Sequence, residues 1–251
     1  GKRLGIRADI DALPVKEETG LSFASKNEGV MHACGHDAHI SILLGAAKIL
    51  NDLKDEFKGE ILIIFQPAEE YIQDSGAKYL SQVPEIKSLD RIIGLHIWGD
   101  IDSGSASLNE GPIMASADTF DIYIKGISGH GASPHKSIDP IIAGSMVVNA
   151  LQTIVSREND PLEPQVISVT AFNSGNSKNV IPETAHLEGT TRSFNNDLRS
   201  KYKSEMQRVL EGVAITTRAE IKLDYHDGTP ATVNEKESTE MGIEVAKEVF
   251  K

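Results

Sequence analysis

One cysteine, Cys34, stands alone in 251 residues. No internal disulfide framework can therefore staple the fold, and a reducing cytoplasm is the expected compartment. Long apolar runs are missing too. None approaches the roughly 20 residues that a membrane span needs, and no stretch reads as a signal peptide. Basic residues are outnumbered, 25 Lys and Arg against 37 Asp and Glu, for a net charge of −12. That balance argues against a nucleic-acid surface, which needs clustered Lys and Arg. It does not choose a substrate, since excess surface carboxylates mainly keep a protein soluble. Internal repeats and low-complexity tracts are absent as well. The remaining composition, 39% hydrophobic and 25% charged, is that of a globular chain long enough for a buried core and two domains. The ends read as cut: the chain opens at Gly1 without Met and closes inside a helical pattern of Met241, Val245 and Phe250. A piece of a longer protein is the expectation.

The chain changes style near residue 116. Before it, apolar runs at 4–10, 61–65 and 92–97 alternate with helical stretches, the first helix carrying Ile40, Leu43, Leu44, Ala47 and Leu50 at helical spacing. Short apolar strands separated by helices predict an α/β sheet covered on both faces. From Asp118 the apolar residues Phe120, Ile122 and Ile124 alternate with polar neighbours, as in a half-exposed strand. Helices over 140–157 and 198–217, and strands over 165–173, 185–194 and 220–225, complete a β-α-β-β-α-β order, the ferredoxin-like unit. The expected architecture is an α/β catalytic domain, 1–115 and 229–251, interrupted by an α+β domain at 116–228.

The chemistry gathers in three clusters, each at the end of a strand-like run or the start of a helix. His32-Ala33-Cys34-Gly35-His36-Asp37-Ala38-His39 is the densest. A thiolate with imidazoles suits a soft divalent metal, although a single cysteine is as readily a packed thiol. His39, three residues after His36, reads as helix-end packing. Glu69 and Glu70 close the second strand. On an extended segment adjacent carboxylates point opposite ways, so one can bind metal while the other faces substrate; a solvated acidic pair is the alternative. His96 falls inside the third apolar run, as a ligand or as a core histidine. Asp9 and Asp11 end the first strand, either orienting a ligating imidazole or forming its polar end. In the second domain His130 lies in a glycine-rich loop, Asn179 precedes Val180-Ile181-Pro182, and Arg192 is either a bidentate partner for a substrate carboxylate or a surface ion-pair residue.

Taken in order, RADIDALP (7–14), MHACGHDAH (31–39), QPAEE (66–70), GLHIW (94–98), SGHGASPH (128–135), NVIPE (179–183) and GTTR (189–192) resemble the metal-dependent aminoacylase/carboxypeptidase superfamily. The nearest branch is that of hippurate hydrolases and auxin-conjugate amidohydrolases. The segments span nearly the whole chain, and the second, third and fourth together are highly specific. The resemblance implies a pair of divalent metal ions, with zinc the first expectation and manganese, cobalt or nickel the alternatives. It implies Cys34, His36, Glu70 and His96 as ligands, with Cys34 bridging, and Glu69 as general base and acid. It implies a homodimer through the inserted domain, with His130 stabilising an oxyanion in the partner's active site and Asn179 and Arg192 contacting the substrate carboxylate. It also implies a further histidine ligand beyond Lys251, so this stretch alone would bind metal weakly and hydrolyse little. The expected reaction is cleavage of the amide bond of N-acyl amino acids or small peptides. Two rivals stand beside it: a cysteine hydrolase using Cys34, and a non-catalytic dimerising module with a structural metal.

Overall fold

A computed structural model describes residues 1–250. Two compact units emerge: residues 1–108 with the chain from residue 237 onward (unit 1), and residues 109–236 (unit 2).

Unit 1 is built on three parallel strands, β1 (Lys2–Asp9), β2 (Gly59–Gln66) and β3 (Arg91–Gly94), in the order β2-β1-β3. Parallel neighbours cannot be joined by a tight turn and need a crossover. Helix α1 (His36–Asp52) lies in the first one, and the short helices α2 (Gly76–Leu80) and α3 (Pro84–Lys87) lie in the second. Asp9 pairs with Gln66, and Arg7 with Gly94. The carboxyl ends of β1 and β2 are therefore level and that of β3 stops two residues short of them, and the polar clusters lie just past these ends, where open α/β sheets bind ligands. The buried residues of α1 are His36, His39 and Leu43, whereas Leu44, placed on the apolar stripe by spacing, is exposed. The stripe is turned so that two histidines face inward.

The third strand is shorter than its apolar run suggests. It ends at Gly94, which leaves Leu95, His96 and Ile97 in the following loop. The amide of Ile97 donates to Nε2 of His39 (3.0 Å) instead of entering the ladder. His96 thus sits on a loop tethered to α1, not within a strand.

Unit 2 holds four antiparallel strands, with the short β4 (Gly111–Met114) and β6 (Gly129–His130) outside the main sheet. The sheet strands are β5 (Ala117–Lys125), β7 (Gln165–Ser174), β9 (Thr184–Ser193) and β10 (Glu220–Thr229), in the order β10-β5-β9-β7. Helix α4 (Pro140–Thr153) follows β5, and the short α5 (Asn196–Arg199) and longer α6 (Tyr202–Thr217) follow β9. This is the ferredoxin-like arrangement. Strand alternation sends Phe120, Ile122 and Ile124 from β5 and Leu187 from β9 into a core with Val147 and Leu151 of α4 and Met206 and Leu210 of α6. Helix α4 begins where Asp139 accepts hydrogen bonds from the amides of Ile141 and Ile142, with Pro140 in the first turn, the preferred chemistry of a helix start. Asp118, fully buried, accepts from the Arg199 guanidinium, the amide of Gly228 and the Tyr225 hydroxyl.

Short β8 (Val180–Ile181) pairs with β6, and β11 (Thr232–Asn234) pairs with β4. The second pairing accounts for where the units divide, at 108/109 and 236/237, against 115/116 and 228/229 from the sequence pattern. Both connecting segments join each other within unit 2. The last helix, α7 (Lys236–Val249), runs into unit 1.

Candidate metal centre

The left-handed backbone of Gly35 (φ 81°) makes the sharp turn between Cys34 and the first turn of α1, a conformation that glycine adopts without steric cost. Cys34 on the loop and His36 on the helix consequently aim at one region. The ligand atoms of Cys34, His36 and His96 lie within 4.8 Å of one another, as do those of His36, Glu69 and Glu70. The two groups share His36. Five residues from three separate chain segments meet past the ends of β1, β2 and β3.

Hydrogen bonds set the imidazole tautomers. Nδ1 of His36 faces the carbonyl oxygen of Asp11 (2.9 Å), and a carbonyl can only accept, so Nδ1 carries the proton and Nε2 of the neutral ring is left with its lone pair. Nδ1 of His96 faces the carbonyl of Ile97 (2.6 Å) in the same way, and its Nε2 lies 3.4 Å from the Cys34 sulfur. Both rings thus turn an acceptor nitrogen inward.

Nε2 of His36 and Oε1 of Glu70 are buried and have no hydrogen-bond partner among the described residues, and they stand 3.8 Å apart. Burying two unsatisfied polar atoms is costly unless something pairs with them. A zinc ion with bonds of about 2.0–2.3 Å to nitrogen, oxygen and sulfur fits between such atoms, and a thiolate, imidazole and carboxylate set favours divalent transition metals.

Glu69 and Glu70 do not diverge as an extended segment would require. Ala68 has a positive φ of 52°, the chain bends, and Glu69 Oε2 comes within 3.9 Å of His36 Nε2, beside Glu70 Oε1. Both carboxylates face one centre. Burial, reinforced by the charges of Glu70 and Asp9, raises the Glu69 carboxyl above its ordinary range. Burial, then the Glu70 carboxylate and the charges of Glu69 and Asp9, push the Cys34 thiol up to about 11. That environment is the reverse of the one that activates a cysteine nucleophile.

Asp9 and Asp11 divide the supporting contacts. The Asp9 carboxylate, fully buried, accepts from Nδ1 of His39 and pairs with Arg7 at 2.8 Å. Burial disfavours its charge, but the His39 hydrogen bond and Arg7 prevail and hold it below the usual carboxyl range. Asp11 instead supplies its carbonyl to His36 and His32, and its carboxylate accepts from the amide of Glu70 (2.9 Å). His39 is the residue that sequence reasoning undervalued. It is buried, as helix-end packing requires, but both of its ring nitrogens are engaged, one by Asp9 and one by the amide next to His96. The available signal was its spacing of three from His36.

The other candidates lie in unit 2. His130, on β6, pairs with Val180, and Gly131 donates to the carbonyl of Asn179 (2.8 Å), so the loop of His130 and residue 179 adjoin. The amide of Ala132 donates to Nδ1 of His130, which puts the proton of the neutral ring on Nε2. Arg192, on β9, donates to the Thr190 hydroxyl and the Thr191 carbonyl.

The model of Peptidase family M20/M25/M40 matches residues 5–251. The chain belongs to that family. It is 46% identical over 227 residues to an N-acyl-L-amino acid amidohydrolase of Geobacillus stearothermophilus, covering 90% of this chain and 61% of that protein. It is 42% identical over 250 residues to thermostable carboxypeptidase 1 of Saccharolobus solfataricus, covering 99% and 64%. The crystal structure of Bacillus subtilis YXEP, described as a dinuclear metal binding peptidase, superposes with a TM-score of 0.82 at 38% identity, over 99% of this chain and 63% of that one. This M20 chain thus spans about three fifths of the length of the curated relatives that it matches. No described helix is long and apolar enough to cross a membrane.

Proposed function

We propose that this M20 chain is the greater part of a dinuclear metal-dependent amidohydrolase that cleaves N-acyl amino acids or small peptides. The observation that carries the reading is the facing pair of buried, partnerless atoms, His36 Nε2 and Glu70 Oε1, beside the Cys34–His96 contact. Cys34, His36, Glu70 and His96 would hold two divalent ions, with zinc preferred by the thiolate and imidazoles and manganese, cobalt or nickel as alternatives. Such ions, when bound, polarise an amide carbonyl and acidify water.

The remaining steps belong to side chains. The Glu69 carboxylate, facing the same centre, takes a proton from the attacking water and returns it to the leaving nitrogen. His130 of one copy, with its Nε2 proton available, would donate to the developing oxyanion in the active site of its partner. Asn179 and Arg192 bind the carboxylate of the amino-acid product side, Arg192 by its paired N–H groups. Unit 2 would form the homodimer; its sheet ends in β10 and β7, and a strand edge is where a second copy can extend a sheet. A reducing, cytoplasmic location is the compartment in which a single free cysteine is at home.

The test is Glu69→Gln in the full-length protein, with metal content by elemental analysis and turnover on a panel of acylated amino acids and dipeptides. Metal should be retained while kcat falls by about 10²–10⁴. Metal and turnover lost in parallel would reverse the roles given to the two glutamates. Activity that survives chelation but is abolished by thiol alkylation would replace the whole reading with cysteine catalysis.

A further inference from the structure

A second constellation of ligand-type side chains lies on the open face of the unit 2 sheet, the face opposite α4 and α6. On β5, Phe120 and Ile122 point into the core, so Asp121 between them points out. The register places Asp121 directly opposite Glu188 on β9 and directly opposite Asp224 on β10. Three carboxylates therefore line up across three adjacent strands. Like charges directly opposite each other destabilise a sheet, and here the row runs unbroken for three positions.

Two histidines flank the row. His186, two residues before Glu188, sets Nε2 at 2.6 Å from one oxygen of Asp121 and Nδ1 at 3.8 Å from Glu188. His226, two residues after Asp224, sets Nε2 at 3.3 Å from the other oxygen of Asp121. The central carboxylate thus has an imidazole nitrogen on each oxygen. The ligand atoms of Asp121, His186 and Glu188 lie within 4.8 Å of one another. Tyr123 stacks on His186 with ring centroids 4.7 Å apart and planes 3° from parallel, which fixes that imidazole's plane. Strand pairing sets all of these positions, and ligands on a sheet are held more rigidly than ligands on loops.

We propose that Asp121, His186 and Glu188 form a metal site separate from the centre in unit 1, taking one divalent transition ion, with His226 holding the second oxygen of Asp121. An imidazole with two carboxylates favours zinc, nickel, cobalt or copper(II) over magnesium or calcium, which prefer all-oxygen shells. The cation offsets the row of negative charge. The His186 Nε2 donates to Asp121, so ligation replaces that hydrogen bond and moves the proton of the neutral ring to Nδ1, with no oxidant, reductant or leaving group involved. The half-exposed position leaves room for water in the remaining coordination positions. None of this depends on the hydrolase assignment, since no residue involved has a role in it.

The experiment is equilibrium dialysis of the full-length protein against zinc or nickel ions, with elemental analysis, for the wild type, His186→Gln/His226→Gln and Glu70→Ala. The double variant should bind one ion fewer per chain than wild type while its far-UV circular dichroism and thermal midpoint stay unchanged. The single variant His226→Gln, altered only on an edge strand, should weaken that ion at least tenfold. Glu70→Ala should keep it, which separates failure here from failure of the hydrolase reading. Equal ion counts in wild type and double variant would overturn the proposal and leave the cluster as a hydrogen-bonded charge ladder. An ion lost in Asp224→Asn but retained in the histidine variants would also overturn it.

Discussion

His39 shows how a residue outside the proposed ligand set can hold one of its members in place. Its imidazole joins Asp9, at the end of the central strand, to the amide of Ile97, and the residue before Ile97 is the ligand candidate His96. Contacts that orient a ligand typically alter metal affinity 10- to 100-fold. We expect His39→Ala to weaken metal binding by about that factor in a competitive titration, with helix content retained. Asp37→Asn, an exposed change in the first turn of the same helix, should leave affinity as it is. Unchanged affinity in His39→Ala would mean that the ring is only core filling. The contrast with Cys34 is instructive. The cysteine was visible in the sequence because it is unique, whereas His39 looked like packing, because burial is legible from spacing but the partners of a buried ring are not.

At the level of elements, the open-face row and the helix-covered core are two sides of the same alternation, and glycine decides where the alternation can close. On β9, a Cβ at Gly189 would sit 2.2 Å from the Phe120 ring and 2.3 Å from the carbonyl oxygen of Ser168. One of those atoms is backbone, so the sheet itself would have to move. We expect Gly189→Ala to destabilise unit 2 by about 3 kcal/mol, the upper end for overpacking, measured as a lowered urea midpoint. Gly212, inside α6, meets nothing within 4 Å, and Gly212→Ala should raise stability by roughly 0.5–1 kcal/mol through helix propensity. Opposite signs for the same substitution would establish that sheet geometry, not glycine as such, sets the cost. The order of strands and helices in unit 2 was readable from periodicity alone. The end of β3 was not, because 92–97 is uniformly apolar and the chain leaves the ladder for a side-chain contact with His39.

Over the whole chain, stability is unevenly shared. The buried hydrophobic residues of unit 1 are Ala8, Leu43 and Ile64 among those described, whereas unit 2 has a continuous core from Phe120 to Tyr225. Unit 1 also buries the partnerless atoms His36 Nε2 and Glu70 Oε1 of the candidate metal centre. Two transitions are therefore expected in calorimetry, with unit 1 unfolding first. A divalent ion at 100 times its Kd should stabilise that lower transition by about 2.7 kcal/mol, a gain that a chelator removes and Glu70→Ala prevents. A lower transition indifferent to metal would place the ions elsewhere.

The linear order of residues by itself determined the main strands and helices, the ferredoxin-like pattern, the exclusion of a disulfide framework and the three ligand-bearing segments, because these rest on periodicity and side-chain chemistry. Only the tertiary structure decided that both glutamates face one imidazole, that His96 rides on a tethered loop, and that three acids and two histidines share one face of a sheet. Those facts depend on strand register, a single left-handed residue at Ala68 and hydrogen bonds between segments dozens of residues apart, none of which leaves a local trace in the chain.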